Sequence, residues 1–296
     1  MKIVKNYWQL TKDLPNEINQ EIIGEFLLSL KVSNRSQITI ITYRKFLELF
    51  FGEMKEPYTS LESNTILEWF KKNGAHYSEA TLRLRLSILS SFFKFCIRED
   101  YIESSPMKGR WFPRLPQSLP KYLEKEEIAK IRNMSEFTSL RNQALVEFFL
   151  TSGCRVKEVS DLNREDVDLE DRTARVIGKG KKIRYVHFTE KCALLLERYF
   201  ALSLNPQEAL FVTTTGKRLA VRSIQGILQK LGGEAGLKTN LHPHRLRHTF
   251  ATELLTKGAD LSFIADELGH SDISTTQIYA RLPRKEIISL YRKFMG

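Results

Sequence analysis

Four short clusters in the second half of the chain carry side chains able to do chemistry. They are Thr151-Ser152-Gly153-Cys154-Arg155-Val156-Lys157-Glu158, the glycine-flanked Lys179, His242-Pro243-His244-Arg245-Leu246-Arg247-His248-Thr249, and Leu268-Gly269-His270 followed by Thr276-Gln277-Ile278-Tyr279. Each has an ordinary explanation when taken singly. Arg155 and Glu158 are spaced as a surface ion pair, worth roughly a few tenths of a kcal/mol. Lys179 between two glycines suits a solvated turn, His244 and Arg247 suit a wet helix face, and Tyr279 suits a half-buried packing aromatic.

Together they meet the demands of one reaction, cleavage of a DNA phosphodiester without a metal. The non-bridging oxygens gain charge in the transition state and call for cationic donors, and arginine offers a permanent charge on a fork of N–H groups. A tyrosine nucleophile must lose a proton held with a pKa of about 10. The leaving 5′ oxygen must gain one, because an alkoxide leaves poorly. Arg155, Arg247, His244, His270, Lys179 and Tyr279 cover all three needs.

The elements that must position these residues can be read from periodicity. His244 and Arg247 lie three residues apart, which puts them on one face of a helix expected over 244–257. Gly269 is placed to end a helix over 261–268, and a short turn through 271–274 leads to a further helix, 274–280, carrying Tyr279. Residues 173–177 and 183–188 read as two strands around the glycine turn that holds Lys179. Helices are also expected over 123–133, 140–151, 190–203, 221–235 and 284–294.

The first half reads as helical, with candidates at 16–31, 36–54 and 78–98. In the last of these, Leu82-Arg83-Leu84-Arg85-Leu86 alternates like a strand, and the length of the segment and its later 3.6-residue period decide for helix. Between the halves, residues 107–122 hold Pro113, Pro116 and Pro120 among Lys108, Arg110, Arg114 and Lys121. Prolines at that density break regular structure, so the stretch reads as a basic linker suited to lie along phosphates. The expected organisation is a helical domain over 1–106, the linker 107–122, and an α+β domain over 123–296.

Composition is that of an ordinary globular protein, at 42% hydrophobic and 27% charged in 296 residues. No apolar run is long enough to cross a bilayer, and the first residues lack the features of a signal peptide, so no membrane is implied and the cytoplasm is expected. Cys96, Cys154 and Cys192 are widely separated, which suggests neither a disulfide framework nor a zinc site. The 46 Lys+Arg against 35 Asp+Glu give +11, shared by both halves. A basic surface attracts phosphate backbones by counterion release.

The ordered series Arg155, Lys179, His244-Arg245-Leu246-Arg247, Gly269-His270, Tyr279 resembles the signature of the tyrosine recombinase, or integrase, family. The stretches "LRNQALVEFFLTSGCRVKEVSDL", "ARVIGKGKKIRYVHF" and "HPHRLRHTFATELLTKGADLSFIADELGHSDISTTQIY" carry the likeness beyond those positions. "NRSQITIITYRKFLELF" and "TLRLRLSILSSFFKFCIREDYIESSPMKG" resemble the family's helical core-binding domain, so nearly the whole chain is covered. Length and motif spacing are most similar to the Xer type. Ser105-Pro106 stands where Asn-Pro is usual and Cys154 where leucine is common, and the stretch before Asn16 matches no familiar segment.

The resemblance implies a mainly α fold with a small antiparallel sheet, its two domains forming a clamp around double-stranded DNA. It implies a site-specific recombinase in which Tyr279 forms a 3′-phosphotyrosyl link. Arg155, Arg247 and His270 would hold the phosphate, His244 would take the tyrosine proton, and Lys179 would protonate the leaving oxygen. Glu158 would orient Arg155. No cofactor or metal is implied, because bond energy is kept in the covalent intermediate. Implied partners are four recombinase protomers, alike or paralogous, on two DNA sites, and a DNA translocase or accessory protein. The segment after Pro283 would serve as an exchange helix between protomers. Two other readings stand beside this one: a type IB topoisomerase-like relaxation activity, and a DNA-binding protein without catalysis.

Overall fold

The structure is a computed structural model that describes residues 6–115, 120–178, 182–202, 208–269 and 275–277. The chain divides into two compact units, Met1–Gln117 and Ser118–Gly296. Among the described residues no helix is long and apolar enough to cross a membrane.

The first unit is built from α1 (Glu17–Val32), α2 (Gln37–Phe51), α3 (Ser63–Gly74) and α4 (Glu79–Arg98). Three of these begin where sequence chemistry allows. The side chains of Asn16, Ser36 and Ser78 each accept a hydrogen bond from the backbone N–H three residues on. The core is aromatic: Phe92 packs against Phe26, Phe51, Tyr58 and Phe93, with ring centres 5.3–6.0 Å apart. The alternating start of α4 is helical, with Leu86 in the core and Leu84 in solvent. Helix α3 is an addition to the elements expected from sequence, although its buried Ile66, Trp69 and Phe70 follow the i, i+3, i+4 spacing.

The stretch before Asn16 straps this bundle. Tyr7, Trp8 and Leu10 pack on its core, and Lys31 lies 3.1 Å from the centre of the Trp8 ring. Arg44 donates to the carbonyls of Tyr7 and Gln9, while Glu48 accepts from the backbone and hydroxyl of Thr11. The basic stretch starts in the same unit: Met107, Trp111 and Phe112 pack on the core, and Gly109–Trp111 forms one 3-10 turn.

The second unit comprises α5 (Lys125–Glu136), α6 (Leu140–Ser152), α7 (Val156–Asp161), β1 (Val167–Asp168), β2 (Thr173–Ile177), β3 (Ile183–His187), α8 (Glu190–Leu202), α9 (Val221–Glu234), α10 (Pro243–Thr256) and α11 (Leu261–Leu268). Helix α6 is its axis. Ala144 to Leu150 are all buried, against α5, α8 and α10. The strands form an antiparallel sheet in the order β1-β2-β3, with Ala174 opposite Val186 and Ile177 opposite Ile183. The sheet gains β1 beside the two strands expected from sequence, and two residues are too few to show a period. Helix α7 is likewise an addition, six residues long. The expected helices 274–280 and 284–294 fall almost wholly outside the described residues.

Candidate active site

Two helices of the second unit end in the same way. After α6, Gly153 turns into the left-handed region at φ 59°, and after α11, Gly269 does so at φ 62°. Both turns are crowded. A Cβ on Gly153 would lie 2.3 Å from the Phe250 ring, and one on Gly269 would lie 2.8 Å from Arg184 Cδ. Glycine alone meets both demands, of φ and of space. A helix terminus leaves carbonyls without intrahelical partners, and here arginines take them.

Arg247 is the residue that joins the two turns. It lies in α10 with only 5% of its surface exposed. Its Nη1 donates to the Gly153 carbonyl at 2.7 Å, and its Nη2 donates to the carbonyl of Leu268. Arg155, two residues beyond Gly153, donates through Nη2 to the Gly269 carbonyl at 3.3 Å. The two guanidiniums therefore rest on consecutive carbonyls, Leu268 and Gly269, which immediately precede His270. Arg155 caps α7 and keeps about a third of its side chain in solvent.

Glu158 is the carboxylate that anchors this cluster, its side chain 3% exposed. It accepts from Arg155 Nη1 at 2.9 Å and from the Arg155 backbone at 2.7 Å. Arg184 in β3 grips it with both ends of its fork, at 2.8 and 2.9 Å. Burial works to raise the Glu158 pKa. Hydrogen bonds and charge from Arg184, with the bonds from Arg155, outweigh it and hold the carboxyl below its ordinary value. Among the described residues around the two turns, Arg155, Arg184 and Arg247 outnumber the carboxylates of Glu158 and Glu267, and the positive excess is what an anion-binding site requires.

The clusters read from sequence are thus partly assembled here. Arg155 and Arg247 come together, and Glu158 orients Arg155. His244 shares α10 with Arg247 but stands exposed in its first turn, while Arg247 is buried. Lys179, His270 and Tyr279 lie outside the described residues, and so does the segment after Pro283. The neighbouring Thr276 is buried.

The rest of the histidine-rich cluster is structural. The His242 side chain caps α10 by accepting from the Arg245 backbone, and Pro243 occupies the first turn, where its missing N–H costs nothing. Arg245 is buried, with Nη2 donating to both carboxylate oxygens of Glu127 in α5. His248 is pushed down to about 4, by burial first and then by the charges of His244, Arg247 and His242. Cys154, wholly enclosed beside the site, has its thiol raised to about 12 by burial, which leaves it inert.

Arg184 is the member that the site residues read from sequence do not include, although it lies in the quoted 174–188 stretch. Its signal is its register: Arg184 shares a side of β3 with the buried Val186, while Ile183, Tyr185 and His187 are exposed. An arginine on the inward side of a strand needs a buried acceptor. That acceptor, Glu158, lies 26 residues away.

Comparison with known proteins shows the family of the chain. The model of the Phage integrase family matches residues 121–286, and that of the Phage integrase N-terminal SAM-like domain matches residues 23–100. Tyrosine recombinase XerC of Thermodesulfovibrio yellowstonii is 34% identical over 289 residues, covering 93% of this chain and 96% of that protein. Tyrosine recombinase XerC of Bacillus subtilis is 34% identical over 276 residues, covering 87% and 90% respectively. Among solved structures, the XerH site-specific recombinase bound to a palindromic difH substrate superposes with a TM-score of 0.72. At 21% identity over 98% of this chain and 91% of that one, it speaks to the fold alone.

Proposed function

Since the chain belongs to the phage integrase family, a site-specific tyrosine recombinase by its relatives, we propose that Tyr279 is its nucleophile and that Arg155 and Arg247 bind the scissile phosphate. The observation that carries this reading is the seating of both guanidiniums on the consecutive carbonyls of Leu268 and Gly269, ten residues or so ahead of Tyr279. Hydrogen bonds hold one side of each arginine, buried for Arg247 and partly buried to Glu158 for Arg155, so little reorganisation is needed when charge develops on the non-bridging oxygens. The topoisomerase-like and non-catalytic readings draw no support from the relatives.

In the proposed reaction the Tyr279 hydroxyl gives its proton to His244 and its oxygen attacks phosphorus. The bond to the 5′ oxygen breaks as Lys179 supplies a proton, leaving a 3′-phosphotyrosyl link and a 5′-hydroxyl. Attack by the 5′-hydroxyl of a partner strand reverses these steps and frees Tyr279. His270 assists the arginines at the phosphate. The substrate is double-stranded DNA, with four protomers on two sites linked through the segment after Pro283. The setting is the cytoplasm. The role is of the Xer kind, resolution of chromosome or plasmid dimers, or else movement of a mobile element.

A nicked substrate that traps the covalent complex tests this directly. Wild-type protein should form a protein–DNA adduct in excess chelator, and Tyr279→Phe should bind the site and form none. A strict magnesium requirement for cleavage, or wild-type adduct from Tyr279→Phe, would contradict the proposal.

A further inference from the structure

Arg184 ties two elements of the site together and has no part in the chemistry just described. Its side chain is 14% exposed, and it spends its donors on two separate helices. Nη1 and Nη2 hold the two oxygens of Glu158 in α7, at 2.8 and 2.9 Å, and Nε donates to the Glu267 carbonyl in α11 at 3.2 Å. Its stem lies against the Gly269 turn so closely that a Cβ there would come within 2.8 Å of Cδ and 2.9 Å of Nε. A second link runs in parallel, from His187 Nδ1 of the same strand to Glu267 Oε1 at 2.9 Å.

We infer that Arg184 is a positioning residue for cleavage: it fixes the Glu158 carboxylate that aims Arg155, and it backs the Gly269 turn whose carbonyls seat Arg155 and Arg247. The inference rests on the proposal that these two arginines bind the scissile phosphate. The geometry explains why arginine is needed. A planar fork meets both oxygens of one carboxylate and still leaves Nε for a carbonyl of another helix, whereas a lysine has one point of charge to share among them. In the Arg184→Lys variant, Glu158 would keep a counter-charge and lose its fixed orientation, and the Glu267 carbonyl would lose its donor. Arg155, with a third of its side chain in solvent, would then be free to swing from the phosphate.

The test is single-turnover cleavage by wild type and Arg184→Lys on two nicked substrates. One carries an ordinary scissile phosphate and the other a methylphosphonate, which lacks the negative charge that the guanidiniums neutralise. Arg184→Lys should bind both DNAs as wild type does and cleave the phosphate about 10- to 100-fold more slowly, the loss typical of residues that orient a ligand-holding group. On the methylphosphonate the defect should shrink to within about threefold, because misplaced arginines matter less where there is no charge to hold. Equal rates for the two proteins on both substrates, or an equal defect on both, would overturn the inference. If Arg184→Lys loses its fold, the same pair of rates is read on Glu158→Gln/Arg184→Lys against Glu158→Gln alone, where a further charge-dependent slowing is expected from the loss of the brace behind the Gly269 turn and equal rates would overturn the inference. Wild-type protein that forms no adduct on either substrate would refute the cleavage reading itself, and this inference with it.

Discussion

Phe92 in the first unit is surrounded by Phe26, Phe51, Tyr58 and Phe93, whereas Glu158 in the second is surrounded by Arg155, Arg184 and the backbone of its own helix. Both side chains are buried, but the forces that hold them differ in kind. Ring packing is driven mainly by area removed from water, and the edge-to-face geometry of the four Phe92 contacts adds only about 0.5–1.5 kcal/mol per pair. The Glu158 network depends on donors reaching particular oxygens, and removal of one partner strands a buried charge. The aromatic bundle should therefore accept substitutions that conserve volume, while the arginine cluster should reject substitutions that conserve charge.

After the complete loss of adduct expected of Tyr279→Phe, the largest effect is expected at Lys179, also outside the described residues. If it protonates the 5′ oxygen, Lys179→Ala should slow cleavage of an ordinary phosphodiester by about 10²- to 10⁴-fold. A substrate with sulfur at the 5′-bridging position has a leaving group that needs no proton and should recover most of that rate. Equal defects on both substrates would make Lys179 a DNA-binding residue.

Next in size is the direct comparison of the two regions. Arg247→Lys keeps the charge but cannot reach the Gly153 and Leu268 carbonyls together, and cleavage should fall by about 10²- to 10³-fold. Phe92→Leu in the aromatic bundle should cost less than about 1.5 kcal/mol, against about 3–5 kcal/mol for Phe92→Ala. Denaturant unfolding reads the second pair. A Phe92→Leu protein as unstable as Phe92→Ala would show that the ring packing is as directional as the arginine cluster.

What is legible in the sequence follows the same division. Helices α1, α2, α4, α5, α6, α8, α9, α10 and α11 are readable because apolar spacing is a local signal, joined in α1, α2, α4, α6 and α10 by a capping side chain. The six-residue α7 and two-residue β1 are not, because they hold too little of a period, whereas the twelve-residue α3 carries helical spacing at Ile66, Trp69 and Phe70 and is legible after the fact only. Arg155 and Arg247 are recognisable by type and order, yet their seating on Leu268 and Gly269 joins residues 21 and 114 positions apart. Arg184 escapes notice for the same reason, since a partner 26 residues away has no trace in local spacing.

A smaller effect should appear in acid. His248 is held neutral with its pKa lowered to about 4, so its contribution to stability is full above the unfolded histidine value of about 6.5. It should be lost progressively as the pH falls from there toward 4. Glu158, also lowered, adds a further loss below the unfolded carboxylate value of about 4.3. His248→Gln should flatten the upper part of the stability–pH curve, measured by thermal unfolding. A slope unchanged by His248→Gln across the range from about 6.5 down to about 4 would place the acid sensitivity elsewhere.

The side chain that becomes joined to DNA defines the active site. Wild-type protein can be trapped on the nicked substrate, digested with protease and nuclease, and the nucleotide-bearing peptide sequenced by mass spectrometry. The mass increment should fall on Tyr279, through a 3′-phosphate. Attachment to any other residue, Tyr291 included, would contradict the assignment of the active site.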